Sequence, residues 1–336
     1  MNNYYKYLIY LIISAFLLIS FSCKSNSSVK SSFDIQGHRG ARGLRPENTL
    51  SGFQFAIDLG ITTLELDIAI TKDRHVIVTH NPYVSAHLCL NGDGSLIQKN
   101  PSNRYSGPLI KDLTLKEIKE FDCGSMNPNA SQFPEPPRMN IPGEPMPTLN
   151  EVFILINETN SIVRLNIEMK IDPRYNVTIP EKEFVEIVVK EIQNSGMKDR
   201  VNLQSFNWHS LEWVKRIDPS IQTAGLLGSE SFRAINDSIP SPWLNGIHYS
   251  YTDGTALGIL MEAKSYIDIF SPSWKLVHPT DSKFLGSTVK EIQSAGFKVI
   301  PWTINKTQIM IELINEGVDG IITDYPDSLI SVIERL

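Results

Sequence analysis

The sequence has little net charge and no runs of lysine or arginine: 31 basic residues stand against 37 acidic ones, for a formal net charge of −6. This balance gives no indication of nucleic-acid binding. Cysteine is scarce as well, with three residues among 336. The chain does have an ordinary globular share of hydrophobic residues, 41%. A single α/β barrel of about 250 residues and two smaller domains both fit this length and composition.

The uncharged apolar run at the N-terminus is short for a membrane span. Residues 7–22 are 16 residues without a charge, whereas a transmembrane helix needs about 20. Lys6 precedes the run and Cys23 follows it, with small residues at Ser20 and Ser22. This pattern resembles a bacterial lipoprotein signal peptide. A plain membrane anchor is the alternative.

We therefore predict a signal peptide over residues 1–22, lipidation at Cys23 and a flexible, serine-rich tether over residues 23–32. The protein would then lie in the cell envelope, on the periplasmic side, and would contact the membrane through its lipid anchor only. Cys89 and Cys123 would remain in a domain exported to an oxidising compartment. They are candidates for a disulfide, and two free thiols are the alternative that their spacing does not exclude.

Short apolar runs alternate with amphipathic stretches from Phe33 onward, which predicts repeated strand–helix units. The candidate strands are residues 33–37, 63–70, 75–80, 162–170, 201–206, 221–227, 267–272, 298–303 and 320–324. Repeated units of this kind form a parallel sheet, and about eight of them close into a barrel. We therefore predict an α/β chain with one barrel domain over residues 33–336.

One region, residues 81–147, interrupts this rhythm. It contains no clean strand–helix unit, and seven prolines lie between Pro128 and Pro147. We interpret it as a small insertion in an early loop of the barrel. Cys89 and Cys123 both lie inside it. Because the segment has little apolar material of its own, we predict that a disulfide between them holds it together.

Charged residues alternate with apolar ones along two candidate strands. Glu65 and Asp67 share one face of strand 63–70, and Arg164, Glu168 and Lys170 share one face of strand 162–170. In a barrel the apolar faces pack on the outer helices, so these charges point inward, where they are costly unless paired or bound to a metal. Three carboxylates near strand ends suit a hard divalent cation, Ca²⁺ or Mg²⁺. The alternative is that Lys170 and Arg164 neutralise them as buried ion pairs.

Two histidines occupy similar places after apolar runs. His38 follows strand 33–37, and His80 ends strand 75–80. Beside a carboxylate cluster, such a pair suits general acid–base catalysis at neutral pH, while a structural hydrogen bond is the alternative for each. Arg39 adjoins His38, and its planar guanidinium matches the geometry of a phosphate.

Taken in order, the motifs resemble the motif series of the glycerophosphodiester phosphodiesterase family. The series is His38-Arg39-Gly40, Pro46-Glu47-Asn48-Thr49, Glu65-x-Asp67, His80, Glu168-x-Lys170, Pro301-Trp302-Thr303 and Thr323-Asp324-x-Pro326. The match spans residues 35–327. It implies a TIM (β/α)8 barrel with a small insertion after the second or third strand and one divalent cation, Ca²⁺ or Mg²⁺. It also implies cleavage of small-molecule glycerophosphodiesters to glycerol 3-phosphate and an alcohol.

The resemblance assigns a role to each matched residue. The general base and acid are His38 and His80. The metal ligands are Glu65, Asp67 and Glu168, with Glu47 a further candidate. The phosphate contacts are Arg39 and Lys170, and Trp302 lines the glycerol pocket.

The chain departs from the family pattern on the side of the leaving alcohol. Asn81 stands where the family usually has an aspartate after the second histidine, and residues 82–94 also differ from the common pattern. Two other functions therefore stay open. One is a phospholipase-like barrel enzyme acting on lysophospholipids or phosphoinositides, close to which a lipid-tethered protein would lie. The other is a non-catalytic binding lipoprotein, although a degenerate barrel would be expected to have lost a histidine or a ligand.

Overall fold

The computed structural model describes residues 33–98, 105, 107–126, 131, 133 and 138–336. The predicted signal peptide, Cys23 and the tether lie outside the described residues. The strands are β1 (Asp34–Gly37), β2 (Thr63–Ile70), β3 (Val76–Val78), β4 (Arg164–Met169), β5 (Val201–Ser205), β6 (Gln222–Leu227), β7 (Ile269–Pro272), β8 (Lys298–Val299) and β9 (Gly320–Thr323). The α-helices are α1 (Leu50–Asp58), α2 (Leu115–Ile118), α3 (Leu149–Glu158), α4 (Glu181–Ser195), α5 (Trp208–Ile217), α6 (Ala256–Glu262), α7 (Val289–Ser294), α8 (Thr307–Asn315) and α9 (Pro326–Arg335). Within the described ranges, no helix combines the length and apolar character needed to cross a bilayer.

Parallel strands form the barrel and pair in the order in which they follow along the chain. β1 is hydrogen-bonded to β2 and β9, and from β2 the sheet continues through β4, β5, β6 and β7 to β8. Backbone hydrogen bonds then close the ring between β8 and β9, from Asp319 to Val299 (2.9 Å) and from Ile322 to Pro301 (3.1 Å). An α-helix follows each parallel strand. The predicted TIM (β/α)8 barrel is confirmed.

β2 shows how the alternation in the sequence produces the two faces of the barrel wall. All of its residues are buried. Leu64, Leu66 and Ile68 belong to the main hydrophobic core, which the outer helices cover. Glu65 and Asp67 take the alternate positions and therefore face the barrel interior. On β2, the leucines therefore pack beneath the outer helices, and the two carboxylates point toward the barrel axis.

One candidate strand is not part of the parallel barrel, so the prediction for residues 75–80 is wrong in this respect. Only Val76–Val78 form a strand, and β3 pairs antiparallel with β2. The connection after Ile70 is a tight turn, whereas a parallel crossover needs a dozen or more residues. The chain therefore runs back along β2, and Thr79 donates its N–H to the carbonyl of Asp67 at 2.9 Å. This places His80 beside the carboxylates of β2.

The segment between β3 and α3 lies in the loop that follows the second barrel strand. Its described part has a hydrophobic core of its own, which includes Ile110, Ile118 and Met146. The expectation that this segment has little apolar material is therefore wrong. Cys89 and Cys123 belong to the same core and are joined by a disulfide. The insertion is thus held both by packing and by a covalent bond.

Candidate active site

The predicted site residues meet at the C-terminal end of the barrel strands. A cavity of about 100 Å³ is lined by His38, Arg39, Glu65, His80, Glu168, Lys170 and Trp302. Asp67, the remaining predicted residue, is 1% exposed and joins Glu65 and Glu168 in one cluster. Strand ends on this side of a TIM barrel are where catalytic groups collect.

Glu65, Asp67 and Glu168 form the carboxylate cluster. One oxygen from each lies within 4.8 Å of the others, and all three side chains are buried. Burial and the neighbouring negative charges raise the pKa of Glu65 well above its ordinary value, and burial raises the pKa of Glu168 to about 7. Among the described residues, Asp67 Oδ1 has no hydrogen-bond donor. A buried anionic cluster with an unsatisfied oxygen fits a hard divalent cation.

Lys170 neutralises this cluster only in part. Its Nζ donates to Glu168 Oε1 at 2.7 Å and lies 3.5 Å from Asp67 Oδ1. Arg164 is the first residue of β4, at the opposite end of the strand, and donates instead to Gln222 Oε1 at 3.0 Å. The ion-pair alternative therefore holds for Lys170 and is wrong for Arg164.

The charges of the described residues around the cavity do not balance when all the carboxyl groups are ionised. Glu47 and Asp324 add two carboxylates to the cluster, and the cations in contact with these acids are Arg39, Arg42 and Lys170. Among these contacting groups negative charge is in excess by two, and Arg138, whose charge also acts on Glu47, reduces the excess to one. A divalent cation would offset this excess.

The loop after β1 turns so tightly that it has to contain glycine. A Cβ on Gly37 would overlap the carbonyl oxygen of Gly40, which itself has a φ of 90°. Arg39 between them has a φ of 51°, a left-handed conformation that costs energy in a residue with a side chain. This conformation brings the Arg39 N–H to Glu65 Oε2 at 2.8 Å. The strained backbone at Arg39 thus ties the loop after β1 to the carboxylate cluster.

Glu47 holds arginines in place and does not join the carboxylate cluster. Its Oε1 accepts from Arg39 Nη1 and its Oε2 from Arg42 Nε, each at 2.7 Å. Burial alone would raise the pKa of Glu47, but the two arginines hold that pKa well below its ordinary value. Glu47, the further candidate for a metal ligand, therefore has both oxygens engaged by guanidinium groups.

His38 is oriented by Asp324. Its Nδ1 lies 2.6 Å from Asp324 Oδ1, and Asn305 Nδ2 donates to the other oxygen of Asp324 at 2.7 Å. A carboxylate on Nδ1 keeps the proton there and leaves Nε2 free to accept one. Burial lowers the pKa of His38 although Asp324 acts to raise it. The imidazole is therefore neutral at pH 7 and suited to act as a base.

Within the described part of the chain, His80 has an amide neighbour and no carboxylate in contact with its ring nitrogens. Its Nδ1 lies 3.3 Å from Asn81 Oδ1, so Asn81 takes the orienting position next to the ring. Burial, Lys170 and Arg39 lower the pKa of His80 well below its ordinary value. The two histidines therefore differ in their support, since among the described residues an ionised partner holds His38 and none holds His80.

Several supporting residues have no predicted role, among them Arg42, which holds Glu47, and Asn305, which holds Asp324. Besides Asp324, Asn48 Nδ2 donates to Asp67 Oδ2 at 2.9 Å, and Gln204 Nε2 donates to Glu65 Oε1 at 2.7 Å. Asp324 and Asn48 stand inside motifs of the series, so the sequence did carry a signal for them. For Gln204, the only available signal was its inward position on β5.

A second cavity, of about 270 Å³, adjoins the first. The two cavities share His80, Glu168, Lys170 and Phe206. The Phe206 ring makes T-shaped contacts with Trp302 of the first cavity, at 5.5 Å, and with Trp243 of the second, at 6.2 Å. The site is thus a cleft in two parts, with its charged side chains at the junction.

Known proteins with similar sequences and structures point to one family. The sequence model of the glycerophosphoryl diester phosphodiesterase family matches residues 38–328. A glycerophosphodiester phosphodiesterase from Caldanaerobacter subterraneus subsp. tengcongensis is 32% identical over 298 residues, which cover 89% of this chain and 96% of that relative.

Solved structures show the same likeness. A protein of Silicibacter pomeroyi that carries the name of a glycerophosphoryl diester phosphodiesterase has a TM-score of 0.75 and 26% identity, covering 91% of this chain and 94% of that one. A phosphodiesterase from Oleispira antarctica, in complex with its product sn-glycerol-3-phosphate, has a TM-score of 0.62 and 23% identity, covering 91% and 99%. At 23% identity, the similarity to the Oleispira protein shows a shared fold.

Proposed function

Because the chain belongs to the glycerophosphoryl diester phosphodiesterase family, we propose that it cleaves glycerophosphodiesters, with a divalent cation, to glycerol 3-phosphate and an alcohol. The observation that carries this proposal is the presence of two histidines and a buried cluster of three carboxylates at one cavity. A phosphodiester resists attack because its negative charge repels nucleophiles, and this site supplies cationic groups and proton-transfer groups together.

Glu65, Asp67 and Glu168 would hold the cation, since hard oxygen ligands suit Ca²⁺ or Mg²⁺. When bound, the cation would draw electron density from a phosphoryl oxygen and lower the barrier to attack. Gln204 and Asn48 keep the carboxylates in position, through hydrogen bonds to Glu65 and Asp67. The unsatisfied Asp67 Oδ1 and the excess of negative charge support this assignment.

Arg39 and Lys170 would bind the phosphate. Both line the first cavity. Arg39 Nε is buried without a hydrogen-bond partner among the described residues, and its nearest anion is Asp67 Oδ2 at 3.4 Å. A buried donor without an acceptor is costly, and a phosphate oxygen would satisfy it. Glu47 holds the guanidinium in advance of binding, so that little side-chain entropy is lost.

His38 would act as the general base. Asp324 keeps the proton on Nδ1, so Nε2 can take one from the nucleophile. That nucleophile is either the glycerol 2-hydroxyl, which gives a cyclic phosphate, or a water molecule. Trp302 lines the same cavity as His38, and its indole is held by a hydrogen bond from Nε1 to the carbonyl of Ser271 at 2.8 Å. The glycerol moiety would therefore lie on the Trp302 side.

His80 would act as the general acid for the leaving alcohol. It lines both cavities, whereas His38 lines only the first. The alcohol would therefore leave into the second cavity, past His80. Burial, Lys170 and Arg39 lower the pKa of His80. A bound phosphodiester is an anion and acts in the opposite direction, toward the protonated form that a general acid needs.

We further propose that the protein is a lipoprotein of the cell envelope, anchored on the periplasmic side through Cys23. The uncharged run at residues 7–22, directly before the cysteine, supports this. A disulfide between Cys89 and Cys123 is consistent with an oxidising compartment. Incorporation of labelled palmitate into the wild-type chain, and its loss in Cys23→Ser, would test the anchor.

The test of the activity is hydrolysis of a panel of glycerophosphodiesters by the purified mature protein. We expect release of glycerol 3-phosphate that is lost on chelation and restored by adding Ca²⁺ or Mg²⁺. A lysophospholipid belongs in the panel because a phospholipase-like enzyme on the same barrel would prefer it. Failure to cleave any diester at saturating cation would contradict the proposal and favour a binding lipoprotein.

A further inference from the structure

Aromatic rings line the second cavity, which Trp302 does not reach. Phe206 and Trp243 form one wall, with ring centroids 6.2 Å apart. Tyr83 and Tyr105 form another, with centroids 5.1 Å apart. None of these side chains is fully buried, so ring surface is open to a ligand. Electron-rich ring faces attract cations, and quaternary ammonium groups are commonly recognised in this way.

Between the aromatic walls the cavity is lined mainly by carbon. Met169, Ile171 and Val177 add aliphatic surface. A head group covered with hydroxyls would lose hydrogen bonds to water in such a space and regain few of them. Methyl groups, by contrast, gain free energy when they leave water for an apolar surface. The lining therefore favours a head group that presents carbon.

The acidic side chains that reach this cavity are already engaged. Asp172 Oδ1 accepts from Arg174 Nε at 2.9 Å and Asp172 Oδ2 from Arg174 Nη2 at 2.8 Å. Glu168 Oε1 accepts from Lys170. A primary ammonium needs acceptors for its N–H groups, and at these carboxylates it would compete with Arg174 and Lys170. A quaternary ammonium has no N–H group and requires no such exchange.

The rim of the cavity adds no net positive charge that would repel a cationic head group. The Arg174 guanidinium lies 4.8 Å from the centroid of the Trp243 ring, but Asp172 neutralises it. The contact between Arg174 and Trp243 also shows that the Trp243 ring accepts a cation at its face.

We infer that the second cavity is a subsite for a leaving alcohol that ends in a quaternary ammonium group, so that choline-type diesters are preferred substrates. The inference rests on the proposed function, because the cavity lies where the alcohol would leave. Trp243 is then the main specificity-determining residue, with Phe206, Tyr83 and Tyr105 completing the aromatic surface. No step of the hydrolysis changes, since the subsite acts by binding.

The test compares two diesters under cation-replete conditions, glycerophosphocholine and glycerophosphoethanolamine. They share the glycerol phosphate, the chain length and the head-group charge near neutral pH, and they differ in three N-methyl groups. We expect kcat/KM to be roughly tenfold higher for the choline diester. The difference should lie mainly in KM, because the subsite binds the ground state and the transition state alike. Glycerophosphoinositol, with a polyol head group, should resemble the ethanolamine diester.

Trp243→Leu removes the ring face but keeps an apolar wall, and it should reduce the preference for choline to about twofold. Trp213→Leu is the matched control. Trp213 lies on α5 and lines neither cavity; its ring makes a T-shaped contact with His209 and lies against the Arg216 guanidinium. The control should keep the full preference. Thermal melting of both variants checks that they are folded.

Equal kcat/KM for the two diesters, or a preference that survives Trp243→Leu, would overturn the inference and leave the proposed function intact. Loss of the preference in Trp213→Leu as well would also overturn it, because the effect would not belong to the cavity. If no diester releases glycerol 3-phosphate, the proposed function is wrong, and the inference about the subsite, which rests on it, is wrong as well.

Discussion

Asp324 and His38 are separated by 286 residues, and their side chains meet at 2.6 Å between Oδ1 and Nδ1. Each follows one of the strands β1 and β9, which are the first and last strands of the barrel and pair with each other. Barrel closure thus joins the proposed base to the carboxylate that orients it. Among the described residues, His80 has no comparable ionic partner on its ring nitrogen, so the two histidines should respond differently to changes around them.

Asp324→Asn should lower kcat by roughly a hundredfold or more, because an amide no longer fixes the proton on His38 Nδ1. Asp324 acts to raise the pKa of His38, so its removal should lower that pKa further. The acidic limb of the kcat/KM profile, where the base becomes protonated, should therefore move to lower pH. Asp327→Asn makes the same change three residues further along and should behave as wild type. An unshifted limb in Asp324→Asn would show that His38 is not the titrating base.

Glu65→Ala and Glu168→Ala should each abolish activity and leave the fold largely intact, because either change opens the cation site. A readout besides activity is available, since a cation that binds only the folded state raises its melting temperature. Ca²⁺ or Mg²⁺ should therefore raise the melting temperature of the wild type and fail to do so in these variants. Glu120→Ala, at a residue outside both cavities, serves as the control. Near-wild-type turnover in either cluster variant, or full activity after exhaustive chelation, would contradict the metal assignment.

His38→Ala and His80→Ala should each lower turnover by roughly a hundredfold or more on a diester of a simple alcohol. The losses of turnover in the two variants should differ on a substrate with a very good leaving group, such as a nitrophenyl diester. His80→Ala should then lose less, because that leaving group needs little protonation, whereas His38→Ala should lose as much as before. Equal losses for His80→Ala on both substrates would argue that it is not the acid.

Loss of the Cys89–Cys123 disulfide should loosen the insertion and leave the barrel folded. In the chain-entropy model, a crosslink across 34 residues stabilises by roughly 3 to 4 kcal/mol. Both cysteines line a small cavity that His80 and Glu47 also line, and Tyr83 lies in the same segment. Reduction should therefore make the insertion sensitive to protease and change the preference among leaving alcohols. Thiol titration of the denatured, unreduced mature protein checks the bridge, and two free thiols from these cysteines would show that it does not form.

Much of the barrel could be predicted because alternation along a strand determines which side chains face inward. Alternation alone predicts that Glu65, Asp67 and Glu168 face the barrel interior. Alternation does not report strand direction, so the sequence predicts a further parallel strand at residues 75–80, whereas β3 runs antiparallel. The connection after Ile70 is too short for a parallel crossover, and its length therefore indicates the antiparallel direction.

Alternation also does not say how far along a strand a side chain lies. Arg164 and Lys170 share a face, but Arg164 begins β4 and Lys170 follows its last residue, so only Lys170 reaches the carboxylates. The pairing of Glu47 with two arginines could not be predicted either, because the loop that brings them together depends on the left-handed conformation of Arg39. Contacts made by loops follow from backbone geometry that residue types alone do not specify.

The chain enters the barrel at the end opposite to the cleft. β1 begins at Asp34, which pairs with Gly320 at the start of β9, whereas the carboxylate cluster lies where the strands end. If the polypeptide is held at a bilayer by Cys23, the anchor leads to the end of the barrel that lacks the cleft and does not obstruct its mouth. Diesters that have already been freed of their acyl chains can then enter the cleft from the aqueous phase.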